Sequence, residues 1–470
     1  MRPDTALRAC TAALAAAATV LVAACGTLPT IVPDMARSSG APRLEGARGP
    51  LSPERSRQIL ERLKAGQPDS QVLDRHLALE QELSPAPLTA GNSVRLLIDG
   101  PQTYDAMLKA IAAARDNINM ESYIFEQDEA GAKFAEALLA KQREGVQVNL
   151  IYDSVGTLGV KKEFFQRLAD AGIRTLEFNP VNPADAKAGW DVNQRDHRKL
   201  LIVDGSVVFL GGINISSVYS GGSFSRGGSR GAAAEPADPK KRPWRDTDLE
   251  IRGPVVADYQ KMFLETWRKQ KAPPLPERAY FPPLKREGDA VVHAIAGAPD
   301  DPENVLYATF VSAIQSAERE ILLTNAYFVP DPQMLKALKD AAGRGVDVKL
   351  ILPSHSDAAL VFHAGRSYYD ELLSAGVQIY ERRDALLHAK TAQIDGVWSA
   401  VGSTNLDWRS FLHNQEVNAV VLGADFGAQM RRAFDADIAQ SDRIELSRWR
   451  WRSLDLRAKE AFARVWQYWL

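Results

Sequence analysis

Cysteine is nearly missing from this 470-residue chain: Cys10 and Cys25 are the only two, both close to the N-terminus. A disulfide framework and a cysteine-based metal site are therefore excluded for everything that follows residue 25. Histidine is scarce as well, with seven copies, so a repeated placement of it carries weight. Net charge is also lacking, since 57 basic against 59 acidic residues leave −2. No overall field would gather the chain onto nucleic acid, and any anion-binding site must be local. The Ala-rich run Thr11 to Ala24 falls short of the roughly 20 residues of a membrane-spanning helix. What is present is ordinary globular composition, 45% apolar and 25% charged, in a chain long enough for two or three domains of about 150 residues with sizeable cores.

Residues 1–24 have the outline of a signal peptide: Arg2 and Arg8, then the apolar run, then Val22-Ala23-Ala24 directly before Cys25. Small residues before a cysteine resemble the bacterial lipobox, which implies cleavage before Cys25 and lipid on Cys25. An uncleaved membrane anchor is the alternative. Either reading gives an exported protein held at a membrane of the bacterial cell envelope and facing the periplasm. Gly26 rather than Asp after the cysteine favours the outer membrane, by resemblance to lipoprotein sorting. Residues 25–92 then read as a tether, rich in Gly, Pro and Ala up to Pro50, followed by helices starting at Ser52-Pro53 and spanning Ser70 to Leu83.

From Ser93 onward short β-rich runs alternate with amphipathic stretches. Strands are expected at Val94–Ile98, Ile118–Phe125, Val146–Tyr152 and Ile173–Phe178, with helices at Tyr104–Arg115, Ala130–Arg143 and Glu163–Ala171. The order then returns: strands Val291–Ile295, Ile321–Phe328, Val346–Leu352 and Val377–Tyr380, with helices Val305–Ala317, Pro332–Ala342 and Gly365–Leu373. Val146-Gln-Val-Asn-Leu-Ile matches Val346-Asp-Val-Lys-Leu-Ile, and Glu121-Ser-Tyr-Ile-Phe matches Asn325-Ala-Tyr-Phe. The chain is an α/β protein with an internal duplication, its halves expected at 93–285 and 286–447.

Two stretches break the symmetry. Residues 221–241 are rich in Gly, Ser, Ala and Pro and read as a mobile surface loop inserted in the first half. Residues 448–470 carry Leu454, Ala458, Ala461, Phe462, Val465, Trp466 and Trp469 at helical spacing, among Arg448, Arg450, Arg452, Arg457, Lys459 and Arg464. This stripe is expected to dock on the second half. Cationic flanks with Trp also suit an interfacial membrane helix.

Each half closes on the same constellation. The first reads His197-Arg-Lys199-Leu-Leu-Ile-Val-Asp204 and, after six intervening residues, Gly211-Gly212-Ile213-Asn214. The second reads His388-Ala-Lys390-Thr-Ala-Gln-Ile-Asp395 and, at the same interval, Gly402-Ser403-Thr404-Asn405. In a strand, positions i and i+2 share a face, so each His projects with its Lys. Asp204 and Asp395 fall on the other parity and each precedes Gly, a hairpin signal, which assigns them to holding the turn rather than to bond making. His76, His293, His355, His363 and His413 have no repeat and are read as structural or surface residues. Adjacent lysines would repel a cation, and no cysteine or tight carboxylate cluster supplements the two histidines, so no metal and no cofactor is expected. Lys199, Lys390, Asn214 and Asn405 make a positive, donor-rich pocket suited to phosphate. A His on either side of a phosphoryl group can serve as nucleophile and as general acid.

These paired motifs resemble the HKD signatures of the phospholipase D superfamily, whose motif residues here are His197, Lys199, Asp204, His388, Lys390 and Asp395. The context resembles its bacterial cardiolipin synthase branch: Ile118-Asn-Met-Glu-Ser-Tyr-Ile-Phe, Arg195-Asp-His-Arg-Lys-Leu, Gly211-Gly-Ile-Asn-Ile, Arg245-Asp-Thr-Asp, Gly402-Ser-Thr-Asn-Leu-Asp-Trp-Arg-Ser-Phe and Asn414-Gln-Glu416. The resemblance implies two similar α/β halves packed about a pseudo-twofold axis, with one shared, metal-independent site. It also implies a phosphohistidine intermediate, on His197 by the family's usual assignment, and phosphatidyl transfer between membrane phospholipids. Ser403, Asn214 and Asn405 would bind phosphate. Glu416 falls where the family places an acid that orients the second His, and Asp248 holds the corresponding place in the first half. Gly212 stands where Ser is usual, which removes one phosphate donor.

Transfer to a second phosphatidylglycerol, giving cardiolipin, is the leading expectation. Hydrolysis by the same residues stays open. Nuclease activity is disfavoured by near-neutral charge and the absence of a basic stripe, so no nucleic acid partner is expected. A non-catalytic lipid-binding scaffold is disfavoured by two intact motifs.

Overall fold

The computed structural model describes residues 27–31, 43–64, 70–83, 86–182, 184, 190–222 and 242–470. The signal segment, Cys25, much of the tether and residues 223–241 of the inserted loop lie outside the described residues.

The first half is built on β1 (Leu88–Ile98), β2 (Asn117–Ser122), β3 (Gln147–Asp153), β4 (Arg174–Phe178), β5 (Lys199–Val203), β6 (Val207–Gly211) and β7 (Thr247–Arg252). They hydrogen-bond in the order β4-β3-β2-β5-β6-β7-β1. The second half repeats the plan with β8 (Ala290–Gly297), β9 (Glu320–Asn325), β10 (Asp347–Pro353), β11 (Gln378–Arg382), β12 (Lys390–Ile394), β13 (Trp398–Gly402) and β14 (Asn414–Leu422), ordered β11-β10-β9-β12-β13-β14-β8. In each half three parallel strands are followed by an antiparallel hairpin. β1 and β8 pair antiparallel, Leu88 opposite His293 and Asn92 opposite Ala290, and so join equivalent edges of the two sheets.

Helices α1 (Pro53–Lys64) and α2 (Ser70–Leu83) precede the sheets, α1 opening after Ser52, whose hydroxyl accepts the Arg55 N–H. In the first half α3 (Asp99–Ala113), α4 (Glu129–Arg143) and α5 (Lys162–Asp170) pack one core against the outer sheet face. The inner faces, carrying Ile151, Leu200, Ile202 and Leu249 from one half and Val292, Val401, Val417 and Ala419 from the other, form a common core with α6 (Val256–Lys269). All these residues are fully buried. At about 25 cal/mol per Å² of apolar surface removed from water, this shared layer is what fixes one half against the other. Strands buried on both faces read as near-continuous apolar runs, as Lys199–Val203 does.

The second half adds α7 (Val305–Gln315), α8 (Pro332–Gly343), α9 (Ala359–Arg366), α10 (Tyr369–Ser374), α11 (Trp408–Leu412), α12 (Ala424–Ile438), α13 (Leu446–Trp449) and α14 (Leu454–Val465). The single helix expected at Gly365–Leu373 is two, because the Ser367 hydroxyl donates to the Ala364 carbonyl and the chain turns before α10. The C-terminal segment also differs from expectation. It docks on the second half through Glu460 and Ala463, which are buried. Glu460 accepts from Arg452 at 2.8 Å, and the guanidiniums of Arg366 and Arg452 lie over the Trp449 ring. The apolar stripe itself faces outward, since the polar face has found charged partners on α9 and α10.

Candidate active site

The site is assembled from the turn upward. Asp204-Gly205 and Asp395-Gly396 occupy the tight turns β5-β6 and β12-β13, all four with positive φ (50° and 58°, 55° and 73°), the conformation that Asp-Gly adopts at least cost. The Asp204 carboxylate accepts from the N–H groups of Arg115, Asp116 and Asn117. Asp395 does the same with Glu318, Arg319 and Glu320. Each aspartate thereby pins its hairpin to the loop that starts β2 or β9. Burial pushes the Asp395 carboxyl up, but His76 and these three N–H groups outweigh it and hold it below the usual range.

The two histidines precede β5 and β12 and are reached across the halves. Arg195–Asp196 pairs in parallel with Asn414–Gln415, and Leu386–Leu387 with Trp244–Arg245. The His197 N–H donates to Gln415 O at 3.0 Å and the His388 N–H to Arg245 O at 2.8 Å. This brings Glu416 to His197, its two oxygens 3.0 and 3.1 Å from Nδ1. It brings Asp246 to His388, with Oδ2 2.7 Å from Nδ1. A carboxylate only accepts, so Nδ1 carries the proton in both rings and each neutral histidine keeps its lone pair on Nε2.

Two expectations are corrected by this arrangement. Glu416 lies on the first histidine, not the second, and the acid that the first half supplies is Asp246, which lies on the second histidine, where Asp248 was expected to serve the first. The strand register gives the reason: Asp248 lies opposite Gly211 as Asn418 lies opposite Gly402, so Asp248 corresponds to Asn418 and Asp246 to Glu416. Asp248 instead accepts from the Ile213 N–H at 3.1 Å. The parallel was readable as Asp246-Thr-Asp248 against Glu416-Val-Asn418.

The remaining expected residues converge on the same place. Lys199 and Lys390 are buried, each donating to the carbonyl of its own histidine, and each ammonium faces an aromatic ring, Tyr123 at 5.2 Å and Tyr327 at 5.9 Å. Ser403 donates its hydroxyl to Glu416 and so supports that acid rather than standing free for phosphate. Asn214 is engaged by the Ile124 N–H and by the Tyr219 hydroxyl. Asn405 keeps a buried carboxamide oxygen without a hydrogen-bond partner among the described residues. Sequence reading did not single out Tyr219, whose hydroxyl lies 3.1 Å from His388 Nδ1, or Trp244, whose ring is 5.0 Å from that of His388.

Burial dominates the electrostatics. It pushes His197 down to about 4, helped by Lys199 and Lys390 and opposed by Glu416. Burial likewise lowers Lys199 to about 7 and Lys390 to about 8, and lowers His388 against the pull of Asp246. Glu416 stays below the ordinary carboxylate range despite burial, because His197, Lys199 and Ser403 favour its charged form. The result is a neutral imidazole aimed by an ionised acid, beside two ammonium groups in a water-poor pocket. Among the described residues no cluster of three His, Cys, Asp or Glu side chains is placed to hold a metal ion.

The family model described as cardiolipin synthase, PLD-like domain, matches residues 107–219 and 310–438. A cardiolipin synthase of Geobacillus sp. (strain WCH70) is 34% identical over 392 residues, 83% of this chain and 74% of that protein. Cardiolipin synthase 2 of Bacillus anthracis is 35% identical over 373 residues, 79% of this chain and 69% of its own. The chain belongs to this PLD-like family.

The phosphatidylserine synthase of Haemophilus influenzae Rd KW20 shares the fold, with a TM-score of 0.62 at 13% identity over 84% of this chain and all of that one. The two segments matched by the PLD-like model contain both histidines, both lysines and Glu416, whereas Asp246 lies outside them. It follows the Gly- and Ser-rich residues 221–241.

Proposed function

We propose that the protein is a phosphatidyltransferase that makes cardiolipin from two phosphatidylglycerols. The observation that carries this is the reciprocal pairing of His197 with Glu416 and His388 with Asp246, which aims two imidazoles and two ammonium groups at one place. His197 Nε2 attacks the phosphorus of the first lipid. The P–O bond to its headgroup glycerol breaks, and that oxygen takes the Nε2 proton of His388, which enters this step as the imidazolium held by the Asp246 carboxylate. The headgroup hydroxyl of a second phosphatidylglycerol then returns a proton to His388 and attacks the phosphohistidine, freeing His197. Cardiolipin and glycerol are the products. Lys199 and Lys390 neutralise charge on the phosphoryl oxygens, the kind of contact whose loss costs roughly 10²-fold or more, and Asn405 lines the same pocket. The identity of the curated relatives supports transfer over hydrolysis.

The test is mass spectrometry of lipids after purified protein is incubated with phosphatidylglycerol vesicles, with and without EDTA. Cardiolipin with equimolar glycerol, insensitive to the chelator, is expected. Phosphatidic acid as sole product overturns transfer, and loss of turnover restored by a divalent metal overturns the mechanism.

The domain boundaries 93–285 and 286–447, cleavage after residue 24 and lipid on Cys25 belong to the same reading, which places the enzyme on a membrane of the bacterial cell envelope, the outer membrane being favoured by Gly26. No helix among the described residues is long and apolar enough to cross a membrane. Mass spectrometry of the N-terminal residue in membrane-extracted protein should find acylated Cys25, and an intact Met1 overturns cleavage and lipidation in favour of the uncleaved anchor.

A further inference from the structure

The outward stripe on the C-terminal segment has no role in the reaction. Trp451 is 90% exposed, Leu454 79%, Phe462 63% and Val465 77%, with Trp466 and Trp469 continuing the same side. These six are more than half of the eleven large hydrophobic side chains exposed among the described residues. A soluble monomer seldom gathers its exposed apolar groups in this way. Spacing of three and four along α14 puts Leu454, Ala458, Phe462 and Val465 on one face, so the patch is continuous.

Its position is that of a rim. The Arg409 N–H donates to the Leu470 carbonyl, and the Arg409 guanidinium holds Asn193 at 3.0 and 3.1 Å, two residues before the segment that carries His197. Tyr468 packs on Trp408 and His413, in and beside the helix that follows Asn405. Further exposed hydrophobic residues, Leu158, Val192 and Leu360, lie in the connections after β3, β4 and β10. Those are the carboxyl ends of parallel strands, the side on which the site opens, since Lys199 stands opposite Ser122 and Lys390 opposite Asn325 at the ends of β2 and β9.

The charge next to the patch is mainly positive, the one exposed acid of α14, Asp455, being paired with Lys459 at 3.7 Å. Arg448, Arg450 and Arg457 are exposed, and Arg448 and Arg457 form no ion pair among the described residues. Apolar side chains with Trp, flanked by guanidinium groups, match the boundary between acyl chains and anionic headgroups.

We propose that the 449–470 segment docks the protein on the surface of a bilayer containing anionic phospholipid, with α14 lying in the interfacial plane and the active-site rim turned toward the lipid. Docking does not depend on which reaction the site performs. It places the mouth at the depth of a phosphodiester headgroup, so that a lipid reaches the histidines without leaving the membrane entirely.

The test uses the full chain with Cys10→Ser, Cys25→Ser and Phe462→Cys, carrying an environment-sensitive nitrobenzoxadiazole label on the single thiol. Vesicles of equal phosphatidylcholine and phosphatidylglycerol should raise and blue-shift the emission severalfold more than phosphatidylcholine alone, and Arg448→Glu with Arg457→Glu should remove the difference. In otherwise wild-type protein, Leu454→Ser, Phe462→Ser and Val465→Ser together should cost at least about tenfold in turnover on vesicles and leave turnover of a monomeric short-chain diester unchanged. A label that stays water-exposed on bound vesicles overturns the proposal. So does a shift in buffer that grows with protein concentration, which means a second copy covers the face. Equal loss on vesicles and on monomeric substrate also overturns it. A labelled face that enters the bilayer in a protein making no cardiolipin instead overturns the proposed reaction and leaves the docking standing.

Discussion

Glu416, on the second half, is bonded through both oxygens to His197 Nδ1 of the first, and the mirror-image bond from Asp246 to His388 crosses in the other direction. Neither half contains a complete His–acid pair.

Replacing Glu416 by Gln or Asp246 by Asn keeps the shape but removes the charge that holds the Nδ1–H tautomer. Each change should lower kcat by about 10²-fold or more with the fold intact by near-UV circular dichroism. Asp248→Asn should stay within about tenfold of wild type, because Asn418 already stands at the equivalent register position in the second half and the amide oxygen still accepts from Ile213. Equal losses at 246 and 248 would return the orienting role to Asp248.

Gly212 is required by Asp246. A Cβ there would lie 2.2 Å from Asp246 Oδ1, whereas Ser403 at the equivalent position donates to the longer Glu416. Gly212→Ser, which gives the first half the residue that the second has at Ser403, should therefore lower kcat by about 10²-fold by displacing the acid from His388. Unchanged kcat would show that Asp246 tolerates a side chain at its back.

With Lys199 near 7 and Lys390 near 8, rising pH removes positive charge that meets the phosphate. The kcat/KM for a soluble nitrophenyl diester, which reports the free enzyme and whose leaving group needs no proton from His388, should fall above an apparent pKa of 7 to 8. His197, neutral down to about 4, should leave no acid limb of its own above about pH 5. Arginine stays charged, so Lys199→Arg or Lys390→Arg should move the alkaline limb upward. An alkaline limb that neither variant shifts would assign it to another group.

The two histidines should fail differently. His197→Ala is expected to abolish turnover and the phosphoryl-enzyme. His388→Ala loses leaving-group protonation, about 10² to 10⁴-fold, and should still label His197 from a nitrophenyl ester, whose leaving group needs no proton. Rapid-quench mass spectrometry decides: phosphate on His388 in the His197→Ala protein would reverse the assignment.

Asp395→Ala removes the acceptor for three backbone N–H groups and should cost on the order of 3 kcal/mol of stability. Because the folded carboxyl lies below its ordinary value, its contribution is present above the unfolded pKa and lost as pH falls through the folded one. The stability gap between variant and wild type, measured by urea unfolding, should therefore shrink toward acid pH. A constant gap from pH 7 to 3 would argue against the carboxylate as its source.

The sequence by itself determined what is local and repeated. Strand and helix periods, the Asp-Gly turns and the matched His-x-Lys spacings are set by neighbours a few residues apart, so the α/β duplication and six of the motif residues were legible before any coordinate. Which acid serves which histidine was decided only in three dimensions. That pairing arises where Arg195–Asp196 meets Asn414–Gln415 and Leu386–Leu387 meets Trp244–Arg245, contacts that no spacing along one half records. The C-terminal stripe divides in the same way: helical period fixes that one face is apolar, but Glu460 found Arg452 and Arg366. Pairing that buried carboxylate turned the polar face inward and left the apolar one out.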